Sequence, residues 1–232
     1  MIDLSHPENQ IKCVTNFHDL VNAPFHEKMN AICWTRNLVG DFVEIVNLVE
    51  LHGNMVELGE EELHELQLSE QGQLAREVLV NDLKLLKAYG ASPVLNVIKC
   101  YDRDNSFTVF PTDVYSYHVD RSPVPTDTFL CTYLGESSEI IPNLQAEQKV
   151  LIPEIRNELK TLHGGADEDF ETFLSENFFD LHYQPKPKSS PISLGLGNVW
   201  RIAVDYPENK VLPCLHRAPA EKPGQKRLLL IC

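Results

Sequence analysis

The sequence predicts an α+β, mainly β fold in which N-terminal helices pack on a C-terminal barrel of the jelly-roll, or double-stranded β-helix, type. Before residue 93, apolar residues recur at the spacing of amphipathic helices. After residue 93, short apolar runs alternate with turn-rich clusters, which is typical of strands. Because 232 residues suffice for one large core, we expect a helical part (1–92) and a barrel (93–232) within one continuous domain.

Two segments of the N-terminal part have the helical pattern. Asp41 is the expected N-cap of the first, since apolar residues follow it at helical spacing. A longer helix is predicted from Ser69 to near Gly90, where the glycine and Pro93 favour termination. Between them, residues 57–65 are acidic and interrupted by a glycine, which predicts a linker or a solvated turn.

The strands are predicted in the second half of the chain. Apolar, β-branched and aromatic runs indicate them at 94–101, 107–110, 128–134, 194–204, 211–216 and 227–231. A helical pattern at 167–179 interrupts them, and the proline-rich segment 184–191 is predicted to be an extended connection. A two-sheet jelly roll has an open mouth suited to a metal and a small ligand.

The composition excludes several classes of partner. The net charge of −14 and the pI near 5.0 oppose binding to bulk nucleic acid or to an anionic membrane. No segment is apolar over the length of a membrane span, and the first residues lack the pattern of a secretory signal. The six cysteines are scattered without a Cys-x-x-Cys pair, which favours reduced thiols and a cytoplasmic location. The oligomeric state stays open.

Three residues form a candidate metal site. Residues two apart in a strand point to the same side, so His118 and Asp120 can reach one ion. His216 would come from a distant strand of the same barrel. Two histidines and one carboxylate are the ligand set of non-haem Fe(II) oxygenases, which leaves other positions on the metal open. The alternatives are an exposed strand-end pair without metal for His118 and Asp120, and a hydrogen-bonded loop histidine for His216.

Arg227 follows His216 by eleven residues and begins the apolar run 228–231. A hairpin return would bring its guanidinium beside the metal, where it could hold a dicarboxylate through a bidentate ion pair. The apolar run indicates that Arg227 points inward, where its charge needs a partner. The alternative is an ordinary surface cation at the start of a strand.

The four residues together resemble the pattern of the 2-oxoglutarate- and Fe(II)-dependent oxygenases, which is His-x-Asp, a distal His and then an Arg. The resemblance implies an iron held by His118, Asp120 and His216. It also implies 2-oxoglutarate as cosubstrate, chelated to the iron with its far carboxylate on Arg227 and decarboxylated to succinate and CO2. The substrate is not identified by this resemblance, and it could be a small molecule or a macromolecule.

A closer resemblance is to a bacterial family known as domain of unknown function 1826. The blocks that carry it span most of the chain and lie at Asn30-Ala-Ile-Cys-Trp-Thr-Arg36, Tyr117-His-Val-Asp120, Cys131-Thr-Tyr-Leu-Gly135, Leu215-His-Arg-Ala-Pro219 and Lys226-Arg-Leu-Leu-Leu230. The chain departs from the family after Gly135, where Ser137-Ser138-Glu139 stands in place of Gly-Thr-Glu. This departure leaves the candidate metal residues intact.

Three further residues lie near the presumed site in the sequence. Tyr117, Thr132 and Tyr133 are candidate contacts of the cosubstrate, although aromatic residues in strands more often serve core packing. His163 and His182 have no partner at ligand spacing and are predicted to be surface residues.

Two other classes of function compete with the oxygenase. One is a cupin-like metal-binding or sensor barrel that keeps the metal residues but not the cosubstrate. The other is a structural or partner-binding protein that uses the helical half. Many barrels share one architecture and differ in function, so fold alone does not decide between them. The presence of Arg227 favours the oxygenase over the sensor barrel.

Overall fold

The computed structural model of the chain describes residues 10–26, 28–220 and 222–232. The strands of this part are β1 (Ile11–Val14), β2 (Ala31–Trp34), β3 (Met55–Leu58), β4 (Val94–Ile98), β5 (Tyr117–His118), β6 (Asp127–Leu134), β7 (Glu139–Ile140), β8 (Ala146–Gln148), β9 (His182–Pro185), β10 (Ile192–Ser193), β11 (Val199–Ala203), β12 (His216–Arg217) and β13 (Arg227–Ile231). The α-helices are α1 (Phe17–Asn22), α2 (Phe42–Leu48), α3 (Glu60–Glu65), α4 (Glu70–Tyr89), α5 (Pro153–His163) and α6 (Phe170–Glu176).

The fold is α+β and contains two sheets. The seven-stranded sheet has the order β1-β2-β11-β6-β13-β4-β3, and the six-stranded sheet has the order β10-β7-β12-β5-β9-β8. Strand neighbours are antiparallel except β1 and β2, which are parallel. Successive strands alternate between the two sheets from β4 to β7 and again from β10 to β13. Neighbouring strands within a sheet are therefore often distant in sequence.

The inner faces of the two sheets share one apolar core. Ile98 and Leu229 of the seven-stranded sheet pack there with Ile140 and Cys214 from the side of the six-stranded sheet, around the fully buried Trp200. Side chains alternate along a strand. The residues on either side of Leu229 therefore face the opposite way and join a second core.

The second core lies between the seven-stranded sheet and the N-terminal helices. Leu228 and Leu230 of β13 pack there against Leu79, Leu83 and Leu86 of α4. Both faces of the seven-stranded sheet are thus covered. β1, β2 and β3 extend this sheet, so the first 92 residues contribute strands as well as helices.

The predicted helix boundaries are confirmed by the caps. The Asp41 carboxylate accepts hydrogen bonds from the backbone amides of Val43 and Glu44 at the start of α2. The Ser69 hydroxyl caps α4, and Gly90 ends that helix with φ of 100°, a left-handed conformation in which a residue without Cβ is favoured. The strand prediction at 227–231 coincides with β13.

Several local predictions were wrong. Residues 57–65 are the end of β3 and the helix α3 rather than a linker or turn. Residues 107–110 do not form a strand; Phe107 and Phe110 instead pack on Phe179 in an aromatic cluster beside α6. Of the strand predicted at 211–216, only His216 is in β12. These segments are short, so tertiary contacts outweigh their local pattern.

Candidate metal centre

The structure brings His118, Asp120 and His216 together on the inner face of the six-stranded sheet. His118 of β5 and His216 of β12 are directly opposite in the antiparallel register, so their side chains point the same way. Their Nε2 atoms lie 3.9 and 3.6 Å from Oδ1 of Asp120. All three donor atoms lie within 4.8 Å of one another, and the group could hold a metal ion.

Backbone carbonyls orient both imidazoles. Nδ1 of His118 lies 2.8 Å from the carbonyl oxygen of Ser116, and Nδ1 of His216 lies 3.3 Å from that of Cys214. A carbonyl can only accept a hydrogen bond, so Nδ1 carries the proton and Nε2 presents its lone pair to the site. A metal-binding histidine is commonly oriented in this way, by a hydrogen bond from its other ring nitrogen to an acceptor behind it.

Asp120 is held by a bond that crosses between the sheets. The Thr128 hydroxyl on β6 donates to Oδ2 of Asp120 at 2.5 Å, which leaves Oδ1 facing the histidines. Burial raises the pKa of Asp120, but the proximity of His216, the Thr128 bond and His118 outweigh it and lower the pKa overall. The carboxylate is therefore ionised near neutral pH.

His118 is held neutral in the folded protein. Burial, followed by the proximity of His216, lowers the pKa of His118 from its ordinary 6.5 to about 4. A metal ligand must be the neutral imidazole. His118 thus binds a cation at neutral pH without first losing a proton.

The donor set fits a first-row divalent metal. Metal–ligand bonds of ~2.0–2.2 Å at right angles place donor atoms ~3 Å apart, so the observed separations need only small side-chain rotations to close. His216 is 9% exposed and Asp120 is 33% exposed, so one side of the group is open to a ligand from outside. Two imidazoles and a carboxylate suit iron, zinc and other metals of this series, and the geometry does not select one.

Arg227 is buried on the inner face of the facing sheet. It lies opposite Ile98 in the β13–β4 register, and Ile98 packs in the core between the sheets. Its Nη2 donates to the Ser138 hydroxyl at 3.2 Å. At Gly135, φ is +87° and a Cβ would stand 2.9 Å from Cγ of Arg227. A side chain at position 135 would therefore be strained and would press on the arginine stem.

The three candidate cosubstrate contacts have different positions. Thr132 faces the core between the sheets, and its buried hydroxyl has no hydrogen-bond partner among the described residues. Tyr133 faces the helices instead, where its hydroxyl donates to Asp82 at 2.7 Å and its ring stacks on Phe42. Tyr117 points to the outer face of the six-stranded sheet. Because side chains alternate along a strand, Tyr133 and Tyr117 point away from the metal group.

His182 is a site residue that the sequence prediction missed. It lies on β9 directly opposite His118, on the same inner face, and is 3% exposed rather than at the surface. The two ring centroids are 5.9 Å apart. Nδ1 of His182 has no hydrogen-bond partner within the described part of the chain. Burial, followed by the proximity of His118 and Lys149, lowers the pKa of His182 to about 3.

Comparisons with protein-family models, with curated proteins and with solved structures found no match. Within the described residues, no helix is both long enough and apolar enough to cross a membrane.

Proposed function

We propose that this protein is a non-haem Fe(II)- and 2-oxoglutarate-dependent oxygenase. The observation that carries the proposal is the group His118, Asp120 and His216 on one sheet, with the buried Arg227 on the inner face of the other. Two histidines and one carboxylate leave metal positions open for further ligands. A buried arginine offers the planar donor pair that a carboxylate binds best.

The strand order supports a double-stranded β-helix. Eight strands alternate between the sheets, with β11-β6-β13-β4 adjacent in one and β10-β7-β12-β5 adjacent in the other. This is the arrangement expected of two interleaved antiparallel sheets in a jelly roll. It makes β5 and β12 neighbours, and these strands carry His118 and His216. The remaining strands extend the edges of the two sheets.

Each residue has a distinct role in the proposed reaction. His118 and His216 supply neutral nitrogen donors, and Asp120 supplies one negative charge. An iron bound there would activate O2 while 2-oxoglutarate is oxidatively decarboxylated. Arg227 binds and orients the far carboxylate of the cosubstrate rather than taking part in bond cleavage. Thr132 contributes a hydroxyl on the same face of the seven-stranded sheet.

The substrate is proposed to be a small molecule rather than a nucleic acid, because the acidic chain opposes binding of an extended polyanion. All six cysteines are free. Free thiols support a reducing compartment, and we propose the cytoplasm. The resemblance to domain of unknown function 1826 remains part of the proposal and names no substrate.

An anaerobic titration with Fe(II) and then 2-oxoglutarate tests the proposal. We expect a visible metal-to-keto-acid absorption band that saturates with 2-oxoglutarate, because both the metal and its chelate are needed to produce it. His118→Ala should abolish the band. If the protein binds Fe(II) but gives no band, it is a metal-binding barrel without this cosubstrate. If it binds no metal, the role of the metal group itself is wrong.

A further inference from the structure

Thr128 connects the seven-stranded sheet to the metal group of the six-stranded sheet. It is a buried residue of β6 and pairs with Ile202 of β11, which packs in the apolar core between the sheets. Residues directly opposite each other on paired strands point to the same face, so the Thr128 side chain also points into that core. Its hydroxyl donates to Oδ2 of Asp120 at 2.5 Å. The candidate ligands and the residue that holds one of them thus come from different sheets.

The two oxygens of the Asp120 carboxylate have different surroundings. Oδ1 lies 3.9 Å from Nε2 of His118 and 3.6 Å from Nε2 of His216, whereas Oδ2 accepts the hydrogen bond from Thr128. Among the described residues, no other side chain donates a hydrogen bond to this carboxylate. A metal ion between the three ligands would therefore meet Oδ1, while Oδ2 is already bonded on the side of the other sheet.

Both ends of this hydrogen bond have little freedom to move. The backbone carbonyl of Asp120 accepts a hydrogen bond from the Asp205 amide at 2.8 Å, which fixes the backbone from which the carboxylate extends. Threonine branches at Cβ, so its χ1 angle is restricted and its hydroxyl keeps one direction. The side chain of Ile202 beside Thr128 has no polar atom that could compete for the hydroxyl. The bond therefore restrains rotation of the Asp120 carboxylate.

The number of metal positions left open depends on how the carboxylate binds. A carboxylate can bind a metal ion through one oxygen or through both. In octahedral coordination, two imidazoles and one carboxylate oxygen leave three positions open, whereas a second carboxylate oxygen would leave only two. The proposed oxygenase needs three, two for the oxygens of 2-oxoglutarate and one for O2. A carboxylate that was free to rotate could occupy the third position itself.

We propose that Thr128 is a positioning residue that restricts Asp120 to one metal-binding oxygen and thereby keeps the third position open. The inference rests on the metal group of the proposed function, but it does not depend on 2-oxoglutarate. Thr128 acts through Asp120, because its hydroxyl is bonded to the oxygen that does not face the histidines. Loss of the hydroxyl frees Oδ2 to bind the same metal ion. The change then appears in the number of exchangeable ligands on the metal, while the metal itself still binds.

The test counts the water molecules on protein-bound Mn(II), without 2-oxoglutarate, by water-proton relaxation. Mn(II) favours octahedral coordination and relaxes the protons of waters bound at its open positions. Thr128→Val replaces the hydroxyl by a methyl group and should lower the relaxation enhancement per bound Mn(II) by about a third, the share of one open position in three. Thr128→Ser retains the donor and should restore the wild-type value. Thr132→Val is the matched control on the same face of β6, because its hydroxyl has no hydrogen-bond partner among the described residues.

The outcomes distinguish a failure of this inference from a failure of the proposed function. If the wild type binds no Mn(II), Zn(II) or Fe(II), the metal group is wrong and the proposed function fails with it. If the wild type binds Mn(II) and Thr128→Val gives the same enhancement as Thr132→Val, the role of Thr128 is refuted while the metal group stands. A folded Thr128→Val that binds no Mn(II) also refutes it, because the hydroxyl would then support metal affinity instead of an open position. If Thr128→Val loses its cooperative melting transition, Thr128→Ala, which removes the hydroxyl without adding a methyl group, decides in its place.

Discussion

Replacement of Arg227 by lysine separates the anchoring of 2-oxoglutarate from metal binding. Lysine keeps the positive charge, and its methylene stem can occupy the slot beside Gly135 that the arginine stem now fills. It loses the planar fork, so one ammonium must serve both Ser138 and the carboxylate. The change therefore removes hydrogen-bond geometry while keeping charge.

The expected loss follows from that geometry. A hydrogen bond to a charged group contributes about 1.5–3 kcal/mol, and each 1.4 kcal/mol is tenfold in affinity. Arg227→Lys should thus weaken 2-oxoglutarate binding by about one to two orders of magnitude. Metal affinity should stay unchanged, because Arg227 is on the other sheet from the three ligands.

Calorimetry with 2-oxoglutarate in the presence of Zn(II) measures this loss without turnover. Arg217→Lys is a matched control, since the same change is made on the outer face of the six-stranded sheet; it should bind 2-oxoglutarate as the wild type does. Equal affinity of Arg227→Lys and wild type would refute the role of Arg227. If the wild type itself gives no heat at millimolar 2-oxoglutarate, the oxygenase proposal fails.

Three other predictions concern the metal ligands, the buried Asp82–Arg36 pair and the buried histidines. His118→Ala and His216→Ala should each lose most bound metal while the fold remains, as measured by metal content and thermal melting; full retention in both contradicts the ligand assignment. Asp82→Ala should lower the free energy of unfolding by about 3–5 kcal/mol in urea, because it leaves the Arg36 guanidinium without its buried carboxylate; a loss under 1 kcal/mol contradicts this. In metal-free protein, His118 and His182 should each lower the free energy of unfolding by about 2 kcal/mol between pH 7 and pH 5. Their pKa values of about 4 and about 3 in the folded protein lie below the ordinary 6.5, so the unfolded chain takes up protons first as the pH falls. A urea midpoint that does not change over this range contradicts the neutral, buried histidines.

His118 and Asp120 were predictable from short-range geometry, whereas His216 entered the prediction through an order of residues that resembles the oxygenase pattern. The two-residue spacing of His118 and Asp120 puts them on one face of any extended segment. The apolar run after Arg227 likewise predicted both the strand β13 and a buried arginine. The caps at Asp41 and Ser69 were predictable for the same reason, because the residues concerned are a few positions apart.

The other residues that strand pairing brings to or away from the site were not predictable. β6 is buried on both faces, so its polarity does not alternate in a way that distinguishes Thr132 from Tyr133. Only the pairing of β6 with β11 and β13 determines whether Thr132 or Tyr133 points toward the six-stranded sheet. His182 joins the inner row through the pairing of β9 with β5, and nothing near it in sequence indicates this partner.

The pairing of β5 with β12 gives the chain an unusual sensitivity to insertions and deletions. The two strands are only two residues long each, and one residue of each faces the metal group while the other faces outward. A slip of one position would turn Tyr117 or Arg217 inward and turn a histidine out. Loss or gain of a single residue within 117–120 or 214–217 should therefore exchange the chemistry of the two faces, while the same change in an exposed loop such as 123–126 should leave both intact.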